Sequence, residues 1–288
     1  MRKDILFSLP SPYRDTMRVT GYRFGKGEKA CAIVGAMRGN EVQQLYVCSR
    51  LVSMLREIEQ EGGIVEGKSL LVIPTINNFS MNLGKRFWSM DNTDINRMFP
   101  GKREGETTER IAYEVFERLR CYQHGVQLAS FYMPGTFIPH VRLMDPAGKD
   151  AELARDFGLP YIYLRTPKPY DTVTLNYNWQ RAGTHAFSLY AGKTDAIDEN
   201  AADLCIRSIV RFLNLRGIVR CATPPGHVSV TIRDEDLHAV SSTCGGLLRR
   251  VKFAGAHVRR GEQLAFVMDP GGGSVREGLR TPITGTLF

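Results

Sequence analysis

The apolar run from Lys29 to Ala36 (KACAIVGA) predicts a buried strand. From Glu41 to about Glu61 the apolar positions Val42, Leu45, Val47, Leu51, Leu55 and Ile58 recur at helical spacing, and Gly62-Gly63 supplies a stop. Ser69 to Pro74 (SLLVIP) is a second buried strand. The stripe Ile111, Val115, Phe116 and Leu119 predicts a helix from Thr107 to about Gln123, with Thr108 as its N-cap. Val126 to Tyr132 is a further strand, and Pro134 to about Leu143 reads as a loop. Pro160 to Leu164 and Ala186 to Tyr190 complete the strands, and an amphipathic helix runs from about Asp198 to Leu215. Strands alternating with helices of this length predict an α/β fold with a mixed, mostly parallel sheet flanked by helices.

The pattern changes at Thr223-Pro224-Pro225-Gly226, after which helical periodicity gives way to short strands and glycine-rich turns. The expected organisation is an α/β domain over residues 1–222 and a small all-β domain over 223–288.

Composition adds exclusions. No run of about 18 apolar residues is present, which argues against a membrane-spanning helix. The opening MRKDILFSLPSPYRD, broken by Pro10 and Pro12, does not read as a signal peptide, so a cytoplasmic location is expected. The net charge of +8 is dispersed, with basic pairs only at Arg249-Arg250 and Arg259-Arg260. Such dispersal disfavours a nucleic-acid footprint and suits a small acidic ligand or an acidic protein partner. The six cysteines form no CxxC pair and are expected to be mostly free thiols. The six histidines form no HxH, HxxH or HExxH. Cys121 and His124 make a CxxH, but at a helix end away from the strand C-termini where sites form in such sheets. His140 and His185 fall nearer the expected pocket, and a structural role is expected for each. No G-x-S-x-G elbow is present, and Ser130 has no base partner in view.

Four segments carry a family resemblance. Gly35-Ala36-Met37-Arg38-Gly39-Asn40-Glu41 leaves a strand and opens a helix; RFWSMDNTDINRMFPG spans Arg86 to Gly101. Gly125 to Ser130 (GVQLAS) is followed by IPHVRL, and AFSLYAG spans Ala186 to Gly192. Together they resemble the succinylglutamate desuccinylase/aspartoacylase family of zinc carboxypeptidase-like hydrolases. The family reads His-Gly-x-Glu in the first segment, R-x4-D-x2-DLNR-x-FPG in the second, Asp-Leu-His in the third and Glu-x-Gly in the fourth. The resemblance implies a zinc carboxypeptidase-like fold, a zinc held by two histidines and a glutamate, and a glutamate general base. It places the ligands on Arg38, Glu41 and Ala129 and the general base on Tyr190, with Gln127 in the aspartate position. It places substrate-binding groups on Arg86, Asn96, Arg97 and Arg142.

One ligand, Glu41, is kept. Alanine has no donor atom, and arginine remains protonated and cannot ligate. No metal or other cofactor is therefore expected on this alignment; zinc is expected only on a different ligand set. Arg38 and Glu41 are three apart at a strand-to-helix turn, so the guanidinium is expected to replace the metal's charge and pair with the carboxylate. Arg97 either binds an anion or pairs with Asp91 or Asp94, and Asn96 either binds ligand or satisfies loop backbone. Tyr190 is a poor base at neutral pH and is expected chiefly to fill space.

Three functions follow. The first is a non-catalytic or zinc-independent member that keeps a carboxylate-binding pocket for a small acidic or acylated amino acid or peptide. Such a member could also form a homo- or hetero-oligomer, pairing with an active relative as a subunit. The second is a metal-dependent deacylase of an N-acyl amino acid or peptide amide with a rearranged metal site. The third is a basic-surface binder of nucleic acid or acidic protein.

Overall fold

The computed structural model describes residues 1–131 and 135–288. Two compact units divide it, Met1–Thr231 and Ile232–Phe288.

The first unit opens with an antiparallel hairpin, β1 (Arg2–Ser11) and β2 (Arg14–Gly25), then β3 (Glu28–Ala36) and α1 (Val42–Gln60). Next come β4 (Lys68–Thr75), α2 (Asn78–Asn82), α3 (Thr107–Leu119), β5 (His124–Ala129) and β6 (His140–Leu143). The chain continues through α4 (Ala151–Arg155), β7 (Tyr161–Leu164), α5 (Leu175–Arg181), β8 (His185–Tyr190), α6 (Glu199–Leu215) and β9 (Val230–Arg233). The nine-stranded sheet has the order β1-β2-β4-β3-β5-β8-β6-β7-β9. Its centre, β4-β3-β5-β8, is parallel, whereas β2 joins β4 and β6 joins β8 antiparallel.

Why the central strands read as unbroken apolar runs is seen in their packing. Alternate residues of β3 and β4 enter opposite faces. Cys31, Ile33, Leu70 and Val72 face a core containing α1 and α6, while Ala32, Val34, Leu71 and Ile73 face one containing α3 and α5. On α1 the buried stripe is Val47, Cys48, Leu51, Val52, Leu55 and Ile58.

Several expectations need correction. The hairpin β1-β2 forms where no element was predicted; Pro10 sits in β1 at the sheet edge, where a missing N–H donor is tolerated. Helix α3 ends at Leu119 and its N-cap is Glu106, not Thr108. The Glu106 amide donates to Glu109 Oε2 at 3.1 Å, and Thr108 is buried inside the first turn. His140–Leu143 is a strand rather than loop. Its alternation is hidden because the polar residues His140 and Arg142 are as buried as Val141 and Leu143. The predicted end of the preceding strand at Tyr132, and Pro134, lie outside the described residues.

The second unit holds β10 (Leu247–Arg250), β11 (His257–Val258), β12 (Gln263–Met268), β13 (Val275–Arg280) and β14 (Gly285–Thr286). They form a three-stranded sheet β10-β12-β13 and the pair β11-β14. Residues 223–231, beyond the compositional break, run with the first unit. Among the described residues, no helix is long and apolar enough to cross a membrane.

Candidate functional site

The C-terminal ends of β3, β5 and β8 lie side by side in the parallel sheet. The register pairs Ala129 with Tyr190, and Gln127 with both Val34 and Ser188. At this edge of an α/β sheet, strands give way to loops and side chains converge.

The turn from β3 into α1 carries Arg38 and Glu41. Glu41 Oε2 accepts from the backbone N–H of Met37 at 2.8 Å and of Arg38 at 3.0 Å. Its Oε1 accepts from Arg38 Nη1 at 3.1 Å, so the pairing expected from spacing is present. Arg38 also grips Asp94 through Nε at 3.0 Å and Nη2 at 2.8 Å, both onto Oδ2. The other oxygen of Asp94 caps the 3-10 turn Ile95–Arg97, accepting from the Asn96 amide at 3.0 Å. A single guanidinium thus ties together two carboxylates from the two most recognisable segments. Burial opposes the Arg38 charge, but Glu41 and Asp94 together raise its pKa above the ordinary arginine value.

Gly39 makes the close approach possible. Its amide donates to the Arg86 carbonyl at 3.1 Å, and a Cβ built there would lie 2.3 Å from the Lys85 carbonyl oxygen and from Ser80 C. This contact brings Arg86 to the site. Burial, and then the nearby Arg38, push the Arg86 pKa down.

Asn96 is buried and its Oδ1 accepts from Gln127 Nε2 at 3.3 Å and the Leu175 amide at 3.4 Å. The expected backbone-satisfying role is therefore present. Arg97 does not pair with Asp91 or Asp94: it donates to the Tyr170 carbonyl at 2.5 Å and approaches Asp171 at 4.0 Å. Asp94 is taken by Arg38, and Asp91 Oδ1 accepts from the Thr93 amide.

Arg142 is 7 % exposed, yet no carboxylate among the described residues contacts it. Its guanidinium carbon lies 4.0 Å from the Tyr190 ring centroid, 5.0 Å from Tyr163 and 5.3 Å from Phe137. Nη1 donates to the Tyr190 hydroxyl at 3.1 Å, Nη2 meets His140 Nε2 at 3.3 Å, and Nε has no hydrogen-bond partner among the described residues. The His140 ring stacks on Tyr190 with centroids 4.7 Å apart and 4° between planes. Burial, reinforced by Arg142, holds the His140 pKa well below the ordinary histidine value. A buried guanidinium without a counter-ion is costly, and an incoming anion would relieve that cost.

Ala129 presents only a methyl group, and its carbonyl accepts from Gln44 Nε2 at 3.4 Å. Arg38, Glu41, Arg86, Asn96, Arg97, Gln127, Ala129, Arg142 and Tyr190 all lie on turns at this one edge of the sheet or in the strand segments within two residues of it. His140 belongs with them through Arg142, whereas His185 does not. It starts β8, at the opposite end of the strand, where its Nδ1 meets Asp150 at 2.8 Å beside His124. Cys121 accepts from Lys29 Nζ at 2.9 Å, and His124 packs against Phe212. Among the described residues, no three His, Cys, Asp or Glu side chains are grouped to hold a metal ion. Sequence reasoning missed the Arg38–Asp94 grip and the aromatic surround of Arg142. The DNTDINR string could have flagged the former; nothing local flags the latter.

A family model for the succinylglutamate desuccinylase/aspartoacylase catalytic domain matches residues 28–216. An N-alpha-acetyl-L-2,4-diaminobutyric acid deacetylase of Halomonas elongata is 31% identical over 264 residues, covering 87% of this chain and 73% of that protein. A succinylglutamate desuccinylase structure from Silicibacter sp. TM1040 superposes with a TM-score of 0.83 at 19% identity, covering 99% of this chain and 88% of the other. The product-bound ectoine utilization protein EutE (DoeB) of Ruegeria pomeroyi gives 0.79 at 21% identity, covering 97% and 87%. These two likenesses establish the fold, the zinc carboxypeptidase-like one that the sequence resemblance implied.

Proposed function

Because the chain belongs to the succinylglutamate desuccinylase/aspartoacylase family, we propose that it is a member which binds a small acidic, acylated amino acid or peptide without zinc-dependent hydrolysis. The observation that carries this reading is the Arg38 guanidinium held between Glu41 and Asp94. A zinc of the family type takes two histidines and a carboxylate, with a fourth position left open. The donor set does not fit one: Arg38 has no lone pair to give, Ala129 offers a methyl, and both Glu41 oxygens are occupied by N–H groups. Tyr190 stands where the family has its general base, and a neutral phenol does not abstract a proton from water at neutral pH. The binding half of the site is a different matter. Arg142 is buried with no carboxylate partner among the described residues, and Arg97 and Arg86 stand on neighbouring loops. A planar fork of donors in such surroundings suits a carboxylate.

Similarity to the Halomonas deacetylase favours a second reading, a metal-dependent amide hydrolase whose ligands come from elsewhere. Thermal unfolding with N-acetyl-L-glutamate, with and without a chelator, separates the two. The binding reading expects stabilisation of about 1.4 kcal/mol at ten times the dissociation constant, indifferent to chelator and with no acetate released. Acetate release abolished by chelator would establish the second reading, and no stabilisation by dicarboxylates would remove the first.

A further inference from the structure

The hydrogen bonds behind Arg142 have only one possible direction. The Ile138 carbonyl can only accept, so His140 Nδ1, 2.8 Å away, carries the ring proton. His140 is fully buried and neutral, so its Nε2 can only accept, and it does so from Arg142 Nη2 at 3.3 Å. Arginine can only donate, so the bond from Nη1 at 3.1 Å makes the Tyr190 oxygen an acceptor. The Tyr190 hydrogen is therefore free of Arg142 and available for donation. Among the described residues nothing accepts it, and the register partner Ala129 presents a methyl on that side. The ring is fixed by its stack on His140 and by Arg142 over its face, so the hydroxyl is pre-positioned at the end of β8.

We propose that Tyr190 is a ligand-binding residue whose hydroxyl, accepting from Arg142, donates its own hydrogen to a carboxylate or carbonyl oxygen of the bound ligand. This deepens the carboxylate-binding reading and rests on it. The position at which the family resemblance puts an acceptor becomes a donor, and its neighbour Arg142 is a second one. The pair therefore selects an oxygen-rich, anionic group over an amine or amide N–H. By donating to the Tyr190 oxygen, the Arg142 guanidinium draws electron density from the phenol, which strengthens its hydroxyl as a donor to the ligand.

Calorimetric titration of the full chain with N-acetyl-L-glutamate, and with the less acidic isostere N-acetyl-L-glutamine, tests the assignment. Tyr190→Phe keeps both stacking contacts and removes only the hydroxyl. The dissociation constant for N-acetyl-L-glutamate is expected to rise about tenfold or more, as for a hydrogen bond to a charged group. The preference over N-acetyl-L-glutamine is expected to shrink with it. Tyr190→Glu, which places a negative charge on Arg142, is expected to abolish binding. The ultraviolet difference spectrum of the unsubstituted protein gives an independent readout: ligand should perturb a tyrosine band that Tyr190→Phe lacks. Equal affinities for wild type and Tyr190→Phe, with no tyrosine perturbation, would overturn the role of Tyr190 alone. No binding by the wild type would overturn it together with the carboxylate reading.

Discussion

Replacing Arg38 by methionine removes a charge while roughly keeping the side chain's length. Arg38 and Asp94 side chains are each 13% exposed and Glu41 is 2% exposed, so two carboxylates would be stranded away from water. Removing one partner of a buried ion pair costs about 3–5 kcal/mol. The lower end applies here, because Glu41 keeps its two backbone N–H donors and Asp94 keeps that of Asn96. We therefore expect about 3 kcal/mol at pH 7, a shift of about 1 M in the urea midpoint for a unit of this size. The two tryptophans, Trp88 and Trp179, are both buried in the first unit, so intrinsic fluorescence follows the unit that contains the change. Arg38→Lys, which keeps the charge but loses the fork, should fall between the two. A midpoint shift below about 0.2 M for Arg38→Met at pH 7 would refute the idea that Arg38 neutralises this pair.

Three other outcomes are expected. Arg142→Met should remove the stabilisation by N-acetyl-L-glutamate while leaving the unliganded protein no less stable in thermal unfolding, since it takes away a buried charge that has no counter-ion among the described residues. Burial, and then His185 beside it, lower the His124 pKa to about 4. Folded His124 thus stays neutral while the unfolded chain takes up a proton below about pH 6.5. Stability is then lost as pH falls from about 6.5 to about 4, on the order of 2–3 kcal/mol from this group. His124→Gln should flatten that part of the urea-stability profile, and His140 keeps a residual slope of the same sign. Gly39→Ala should destabilise by several kcal/mol or prevent folding, because the new Cβ meets backbone atoms of residues 80, 81 and 85; a melting temperature near that of the wild type would contradict this packing.

The central sheet was legible because β3, β4 and β8 are buried on both faces and show continuous apolar runs. The hairpin β1-β2 was not, since its exposed edge strand mixes charges, two bulges and Pro10. Strand β6 was hidden for the opposite reason: its polar residues are buried by the site itself, so polarity there reported function and not exposure. At the site, the spacing of Arg38 and Glu41 foretold their contact because the two lie within one turn. The grip on Asp94 joins residues 56 apart, and its only trace in the sequence is the segment that resembles the family block. Of the two alternatives for Arg97, pairing with Asp91 or Asp94 fails because Asp94 is held by Arg38, and the carboxylate Arg97 approaches, Asp171, comes from a turn far along the chain. The Arg142 surround draws on Phe137, Tyr163 and Tyr190 from separate elements, which no local pattern connects.

The claim that Arg38 has taken the place of a metal is tested most directly by the metal content of the purified, untagged chain. Elemental mass spectrometry would be applied before and after incubation with zinc and dialysis, on the wild type and on Arg38→His. No stoichiometric metal is expected in either protein, because Ala129 still supplies no donor and Glu41 alone does not hold zinc. Zinc near one per chain that survives dialysis of the wild type would contradict it and bring the hydrolase reading forward.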